Sequence, residues 1–285
     1  MRYQEVSIED ISCKFCGGKN LVKNGTKKQM QRFLCKTCKR TFAGNKALPG
    51  MRTPTDQVGH ALNAFYGGLS LNAICQQMKQ TYNYCPSDSS IYRWVVRFTK
   101  EALSEANNYQ AEAGTIWVAD ETVLKIGGKN VWFWDLIDDK TRFLLASNFS
   151  KTRTTKDANV LMTQALENAT SVPKIIITDK LRAYLDGIEL AFGADARHLQ
   201  SEGFEAEINT NLIERFHGTL KARTKIMRGM KKIETAKLFM RGWLIHYNFF
   251  RPHQSLKGKT PGEVAKVDFP FKSWTDVITK GGKNA

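Results

Sequence analysis

A mixed α/β core, preceded by a small cysteine-bound ribbon and a run of helices, is the fold class that the sequence predicts. Three observations carry it. Two C-x2-C pairs fall within the first forty residues. Apolar residues then recur at helical spacing from about Val58 onward. From Gly114 the texture changes to short apolar strands interrupted by an amphipathic helix. The 285 residues suffice for one large domain or two to three modest ones with a real core. With 42% hydrophobic and 11% aromatic residues, the chain is globular rather than disordered.

The formal net charge is +16, from 43 Lys and Arg against 27 Asp and Glu. Such an excess favours nucleic acid as a partner; the plainer alternative is a basic but ordinary surface. The charge is uneven. Residues 1–50 carry a net of +8 and residues 215–259 a net of +11, which leaves a nearly neutral remainder. No apolar run approaches the roughly 18 residues of a membrane span, and no membrane partner is expected. "MRYQEVSIEDISC" has no apolar core of a signal peptide. A reducing compartment is therefore expected, and the cysteines need a reason other than disulfides.

In the ribbon, Cys13, Cys16, Cys35 and Cys38 read as C-x2-C, 18 residues, C-x2-C. Each pair can aim two thiolates at one point, and two pairs complete a tetrahedral zinc site with no open position. One structural Zn2+ is the expectation; disulfides are the alternative. Phe15 and Phe33 suit the ribbon's core. Lys23, Lys27, Lys28, Arg32, Lys36, Lys39 and Arg40 form a basic skin, either for DNA or simply solvated. Cys75 and Cys85 lie outside the pattern and are expected to be buried thiols.

"AGNKALPGMRTP" mixes Gly, Pro and basic residues and marks a linker from Ala43 to Pro54. Val58, Leu62 and Phe65, then Leu71, Ile74 and Met78, predict two helices broken at Gly67–Gly68, with Ser70 able to cap the second. A third helix is expected from a Ser87–Ser90 start, carrying Arg93, Arg97 and Lys100. This order fits a helix-turn-helix, and equally a plain helical spacer.

Strands are expected at "TIWVADET", ending at Asp120, at Val131–Asp139 and at Arg142–Ser150, then a helix over "KDANVLMTQALENA". "PKIIITDK" reads as a buried strand ending at Asp179. Two carboxylates at the ends of adjacent core strands can converge on one metal, although either alone is more often a cap or turn residue. Asp138, Asp139 and Asp186 read as turn or surface acids. If the chain is helical from Asn209 onward, Glu214, Gly218, Lys221 and Lys225 share one face, with His217 at its edge. Leu212, Ile213, Phe216, Leu220 and Met227 share the other, where Arg223 must snorkel or the helix bend. Glu214 is then a lone acid on a basic face.

These motifs resemble those of DDE-type insertion-sequence transposases, whose catalytic domain has the ribonuclease-H-like fold shared with retroviral integrases. "WVADETVLKIGGKNVWFWDLID" resembles the first motif with Asp120, "IIITDKLRAY" the second with Asp179, and "NLIERFHGTLKARTK" the third with Glu214. Glu214 lies 35 positions after Asp179 and is followed seven residues later by Lys221. "HYNFFRPHQSLKGKTP" resembles the tail that closes such domains. The resemblance implies a zinc ribbon over residues 1–48, a helix-turn-helix domain over 49–108, a catalytic domain over 111–267 and a C-terminal tail over 268–285. It implies catalysis by Asp120, Asp179 and Glu214 around two Mg2+ or Mn2+ ions, with Asp120 bridging them, in DNA strand cleavage and strand transfer. Lys221, Arg215, Arg223, Lys225, Arg93 and Arg97 would then bind DNA phosphate. The implied partners are the element's terminal inverted repeats, target DNA and further copies of the chain, in a prokaryotic cytoplasm near the nucleoid. A regulator with a dead catalytic domain, or a nuclease of the same fold that does not join strands, are the alternatives. Glu121, beside Asp120, is expected to be replaceable by Gln with activity kept.

Overall fold

The N-terminal ribbon is built from three antiparallel strands, β1 (Leu21–Lys27), β2 (Met30–Cys35) and β3 (Thr41–Ala43). The computed structural model describes residues 11–27, 30–106, 109–201, 211–226 and 231–281; Lys28, Asn209 and Met227, named above, lie outside them. Phe33 and Phe42 pair across β2 and β3 and fill the ribbon's own small core with Leu21, Cys13 and Cys35. Phe15 does not join it. This ring is exposed and stacks under the Arg40 guanidinium at 5.0 Å, because the first cysteine turn points it outward.

Three helices follow: α1 (Thr55–Tyr66), α2 (Leu71–Tyr82) and α3 (Asp88–Glu105). Their starts obey the capping signals. Ser70 Oγ accepts from the Ala73 N–H at 3.2 Å, and Ser87 Oγ from the Ser90 N–H at 3.3 Å. Ile91, Val95, Phe98 and Ala102 give α3 its buried stripe. Cys75 and Cys85 correct the expectation of two buried thiols. They form a disulfide, with Cα atoms 4.8 Å apart, and Cys85 is exposed. The left-handed Asn83 (φ 53°) ends α2 and folds the chain back, so Cys85 returns over Cys75.

The α/β part has five strands: β4 (Ile116–Ile126), β5 (Lys129–Asp138), β6 (Leu144–Ser150), β7 (Ile175–Thr178) and β8 (Arg197–Gln200), in the order β6-β5-β4-β7-β8. β4, β5 and β6 form an antiparallel meander, and β7 and β8 add in parallel. Gly127 and Gly128, both at positive φ, make the two-residue turn between β4 and β5. The parallel strands need crossovers, supplied by α4 (Thr155–Glu167) and α5 (Arg182–Phe192), which pack on each other. Against β4 and β5 also lies α6 (Asn211–Ile226). This meander with two parallel additions is the ribonuclease-H-like arrangement.

The chain closes through α7 (Ile233–Ile245), a π-helical turn over His246–Phe250, a short 3-10 turn over Gln254–Leu256, α8 (Pro261–Val264) and α9 (Trp274–Gly281). The segment after residue 268 is thus more than a tail, since Trp274, Val277 and Ile278 are buried. α9 packs on α1 and α3, and α3 on α7, so the helical segment and the α/β part share one apolar core. Gly242 permits this. A Cβ there would run into the Tyr66 hydroxyl and the Thr99 methyl group.

Candidate metal centres

In the ribbon, two turns of the same shape face each other. The Gly17 N–H donates to the Cys13 carbonyl at 2.8 Å, and the Lys39 N–H to the Cys35 carbonyl at 2.9 Å. Gly17 and Lys39 both adopt positive φ, which tightens each C-x2-C turn. The four sulfurs converge, with Cys13 and Cys38 Sγ 3.6 Å apart and Cys16 and Cys35 Sγ likewise 3.6 Å apart. The backbone N–H of Cys38, against burial and with that of Thr37, holds the Cys35 thiol down at about 6, while, against the Gly18 backbone hydrogen bond, burial and the neighbouring thiols push Cys16 up to about 12. The donor set fits a closed tetrahedral metal site.

The second centre lies at the rim of the sheet. Asp120 does not end its strand as expected. It is the fifth residue of β4, which continues to Ile126 because β5 pairs along its whole length. What ends is β7, at Thr178. The parallel register matches Ile116 with Ile175 and Val118 with Ile177, and the same offset sets Asp179 level with Asp120. Beyond Thr178 the flank of β4 is open, so carboxylates can meet there. Ligand atoms of Asp120, Glu121 and Asp179 lie within 4.8 Å of one another, a donor set suited to a hard divalent cation.

Like charges this close need compensation. Asp179 Oδ1 accepts from the Leu181 N–H at 2.9 Å. Arg153, from the β6–α4 loop, donates Nε to Glu121 Oε1 at 2.6 Å and reaches Asp179 Oδ2 with Nη2 at 3.5 Å, while its guanidinium lies 4.7 Å from the centre of the Trp132 ring. Tyr184, on α5, donates to Glu121 Oε2 at 2.7 Å. Glu121 is therefore buried and tied into the centre. Burial raises its pKa above the usual carboxylate value, with the Tyr184 hydrogen bond, Asp179 and Arg153 as smaller, mixed influences. It is a poor neutral control, contrary to the expectation from sequence.

The other face of β4 holds a network that sequence reasoning missed. Asp135 on β5 is the direct cross-strand neighbour of Asp120 and is fully buried. His217 on α6 sits between them, with Nε2 3.1 Å from Asp135 Oδ2 and Nδ1 3.4 Å from Asp120 Oδ2. Burial lifts Asp135 to about 6, against the His217 hydrogen bond. Burial alone would depress His217, but its hydrogen bonds to Asp120 and Asp135, and their charges, push it up to about 9. An acid inside the apolar run "VWFWDLI" was the available signal for Asp135.

Glu214 begins the turn of α6 that His217 completes, and it is exposed. It is not one of the three acids of the rim cluster. Arg215, Lys221 and Lys225 are exposed along the same helix. Arg223 does not snorkel outward; it is buried, with its guanidinium 4.2 Å from the centre of the Phe65 ring. On α3, Arg97 pairs with Glu101 at 3.1 Å, and Arg93 Nε donates to the Ser89 carbonyl at 3.1 Å. Among the described residues, no helix is long and apolar enough to cross a membrane.

The sheet thus has the ribonuclease-H-like strand order, with acids from two neighbouring strands meeting at its rim. Residues 114–253 match the family described as a DDE domain. An uncharacterized protein of Methanocaldococcus jannaschii is 25% identical over 191 residues, which span 66% of this chain and 83% of that protein. The catalytic core domain of HTLV-2 integrase, solved in complex with magnesium as a dimer, is 18% identical with a TM-score of 0.43, over 54% of this chain and 97% of that one. A chain of the simian T-cell lymphotropic virus intasome, solved in complex with the PP2A regulatory subunit B56 gamma, is 16% identical with a TM-score of 0.42, over 73% of this chain and 74% of that one.

Proposed function

We propose that the protein is an insertion-sequence transposase that binds the ends of its element, cleaves DNA strands there and joins them to target DNA. The observation that carries this reading is the level placement of Asp120 and Asp179 at an open rim, with α6 reaching Asp120 through His217. Asp120, Asp179 and Glu214 would hold the catalytic ions, with Glu121 close enough to contribute. Two Mg2+ or Mn2+ ions, when bound, would lower the pKa of the attacking hydroxyl and neutralise charge on the phosphate and the leaving oxygen. In cleavage, a water oxygen forms the new P–O bond and the 3′ oxygen leaves. In joining, that 3′ oxygen attacks a target phosphate and displaces another 3′ oxygen. His217, anchored by Asp135 at its Nε2, keeps the Asp120 carboxylate in place through its Nδ1. Arg215, Lys221 and Lys225 hold flanking phosphates, as does Arg223. The Cys13, Cys16, Cys35 and Cys38 cluster would hold one Zn2+, and the ribbon, with α3 presenting Arg93 and Arg97, would read the terminal repeats. The reading further places several copies of the chain on DNA in a prokaryotic cytoplasm.

The test uses the full chain with labelled duplexes bearing the inverted repeats that flank the gene, with Mg2+ or Mn2+. Cleavage at the repeat ends and joined products are expected from the wild type. Glu214→Gln should abolish both while leaving DNA binding intact, whereas exposed Glu189→Gln should retain both. Cleavage without joining of a pre-nicked donor would make the protein a nuclease. Wild-type cleavage rates in Glu214→Gln would remove Glu214 from the site.

A further inference from the structure

The end of α1, helix α6 and the chain after α7 enclose a cavity of about 470 Å3. Tyr66, Gly68, Arg223, His246 and Arg251 are among its walls, and among the described residues no Asp or Glu is. Arg223 is only 3% exposed, and its Nε and Nη2 are buried without a hydrogen-bond partner among the described residues. The Phe65 ring face compensates part of the charge but accepts no N–H hydrogen bond in the guanidinium plane. Buried guanidinium groups are otherwise paired, because leaving one unpaired costs the full desolvation of a charge.

The neighbouring polar groups are already engaged. Tyr66 and Thr99 share a hydrogen bond of 2.5 Å, and His246 Nδ1 accepts from Trp274 Nε1 at 3.3 Å. Arg251 makes no ion pair among the described residues, and with Thr219 it also lines an adjoining cavity of about 430 Å3. Arg142 and Arg215 stand in that second cavity, whose one acid among the described residues, Asp139, is paired with Arg142 at 3.0 Å. Arg215, Thr219 and Arg223 are each four residues apart, so they line one stripe of α6 at steps of about 6 Å.

We propose that the cavity beside Arg223 and Arg251 is a binding site for one phosphate oxyanion, filled by a backbone phosphodiester of bound DNA. The inference rests on the DNA-binding reading above. The second arginine-lined cavity next to it favours a strand over a lone ion, because a strand presents further phosphates along the same stripe. A phosphate there would join the end of α1 to the helix that carries Glu214.

Two measurements on the full chain test this. In the first, thermal melting is followed with inorganic phosphate and with chloride at equal ionic strength. Phosphate should raise the melting temperature of the wild type and leave that of Arg223→Met unchanged. Without phosphate, Arg223→Met should melt at or above the wild type, since the unpaired buried charge is gone. In the second, affinity for a random-sequence duplex is measured against salt. The log–log slope should be shallower by about one in Arg223→Met and unchanged in Arg223→Lys. If Arg223→Met fails to fold, Arg251→Gln on the opposite wall must show the same loss of phosphate response. A phosphate response that survives both variants, or Arg223→Met melting lower with its slope intact, makes the arginine structural and overturns the site. A phosphate response that needs Arg223 but an unchanged slope assigns the site to free phosphate and overturns the DNA assignment. A wild type that binds no DNA defeats the transposase reading, while the phosphate arm still judges the oxyanion site separately.

Discussion

The two candidate metal centres of this chain solve one problem in opposite ways. The four thiols come from two local turns, each closed by its own backbone hydrogen bonds, so each half of the site forms within six residues. The carboxylates come from the middle of β4 and the end of β7, and are held apart and in place by Arg153, Tyr184 and His217 from three other elements. A local, saturated site stabilises its own fold and leaves no position for substrate. A site assembled on a rigid sheet gains nothing locally, but it keeps an open side for a phosphate.

This contrast can be broken by substitution, and the largest effect belongs to the rim. Asp120→Asn should lower the rate of DNA cleavage by more than about 100-fold, beyond the range expected for a ligand's supporting partner, with the melting temperature of the α/β part little changed. Single-turnover cleavage beside a melting curve checks both halves of that statement. In the ribbon the outcome should invert. Cys35→Ser, or chelation of the wild type, should release one zinc per chain and expose residues 11–43 to proteolysis, while the rest of the chain melts as before. A ribbon that stays protected without metal would mean that its small apolar core suffices. The smallest effect concerns His217. His217→Asn keeps a hydrogen-bond donor and should lose about 10-fold in Mn2+ affinity, measured by calorimetry, whereas His217→Leu should lose about 100-fold. Equal losses in both variants would show that the side chain only fills space.

Legibility followed the same divide. The cysteine spacing could be read directly, because both turns are written in consecutive residues. Asp120 and Asp179 were readable as acids attached to apolar runs, although nothing in the sequence showed that β4 continues past Asp120 along β5. Asp135 and His217 were hidden, since their meeting depends on strand register and on the placement of α6. The Cys75–Cys85 bond was hidden for a similar reason: it depends on one left-handed residue, Asn83, that turns the chain back. The burial of Arg223 is the reverse case. The helical pattern placed it on the apolar face, and only the packing of Phe65 from another helix shows how it remains there.

Asn248, in the π-helical turn after α7, bears on how the molecule behaves in a crowd of its own copies. Its side-chain Oδ1 accepts from the Leu144 N–H at 3.0 Å, and its Nδ2 donates to the Leu144 carbonyl at 3.1 Å. The carboxamide thereby copies the hydrogen bonding of a neighbouring strand at the start of β6, the outer strand of the sheet. An uncovered outer strand is a template on which another chain can add, the first step toward fibrous aggregates. A single buried amide, delivered by a helix, occupies the backbone groups of Leu144 and leaves an added strand nothing to pair with at that point.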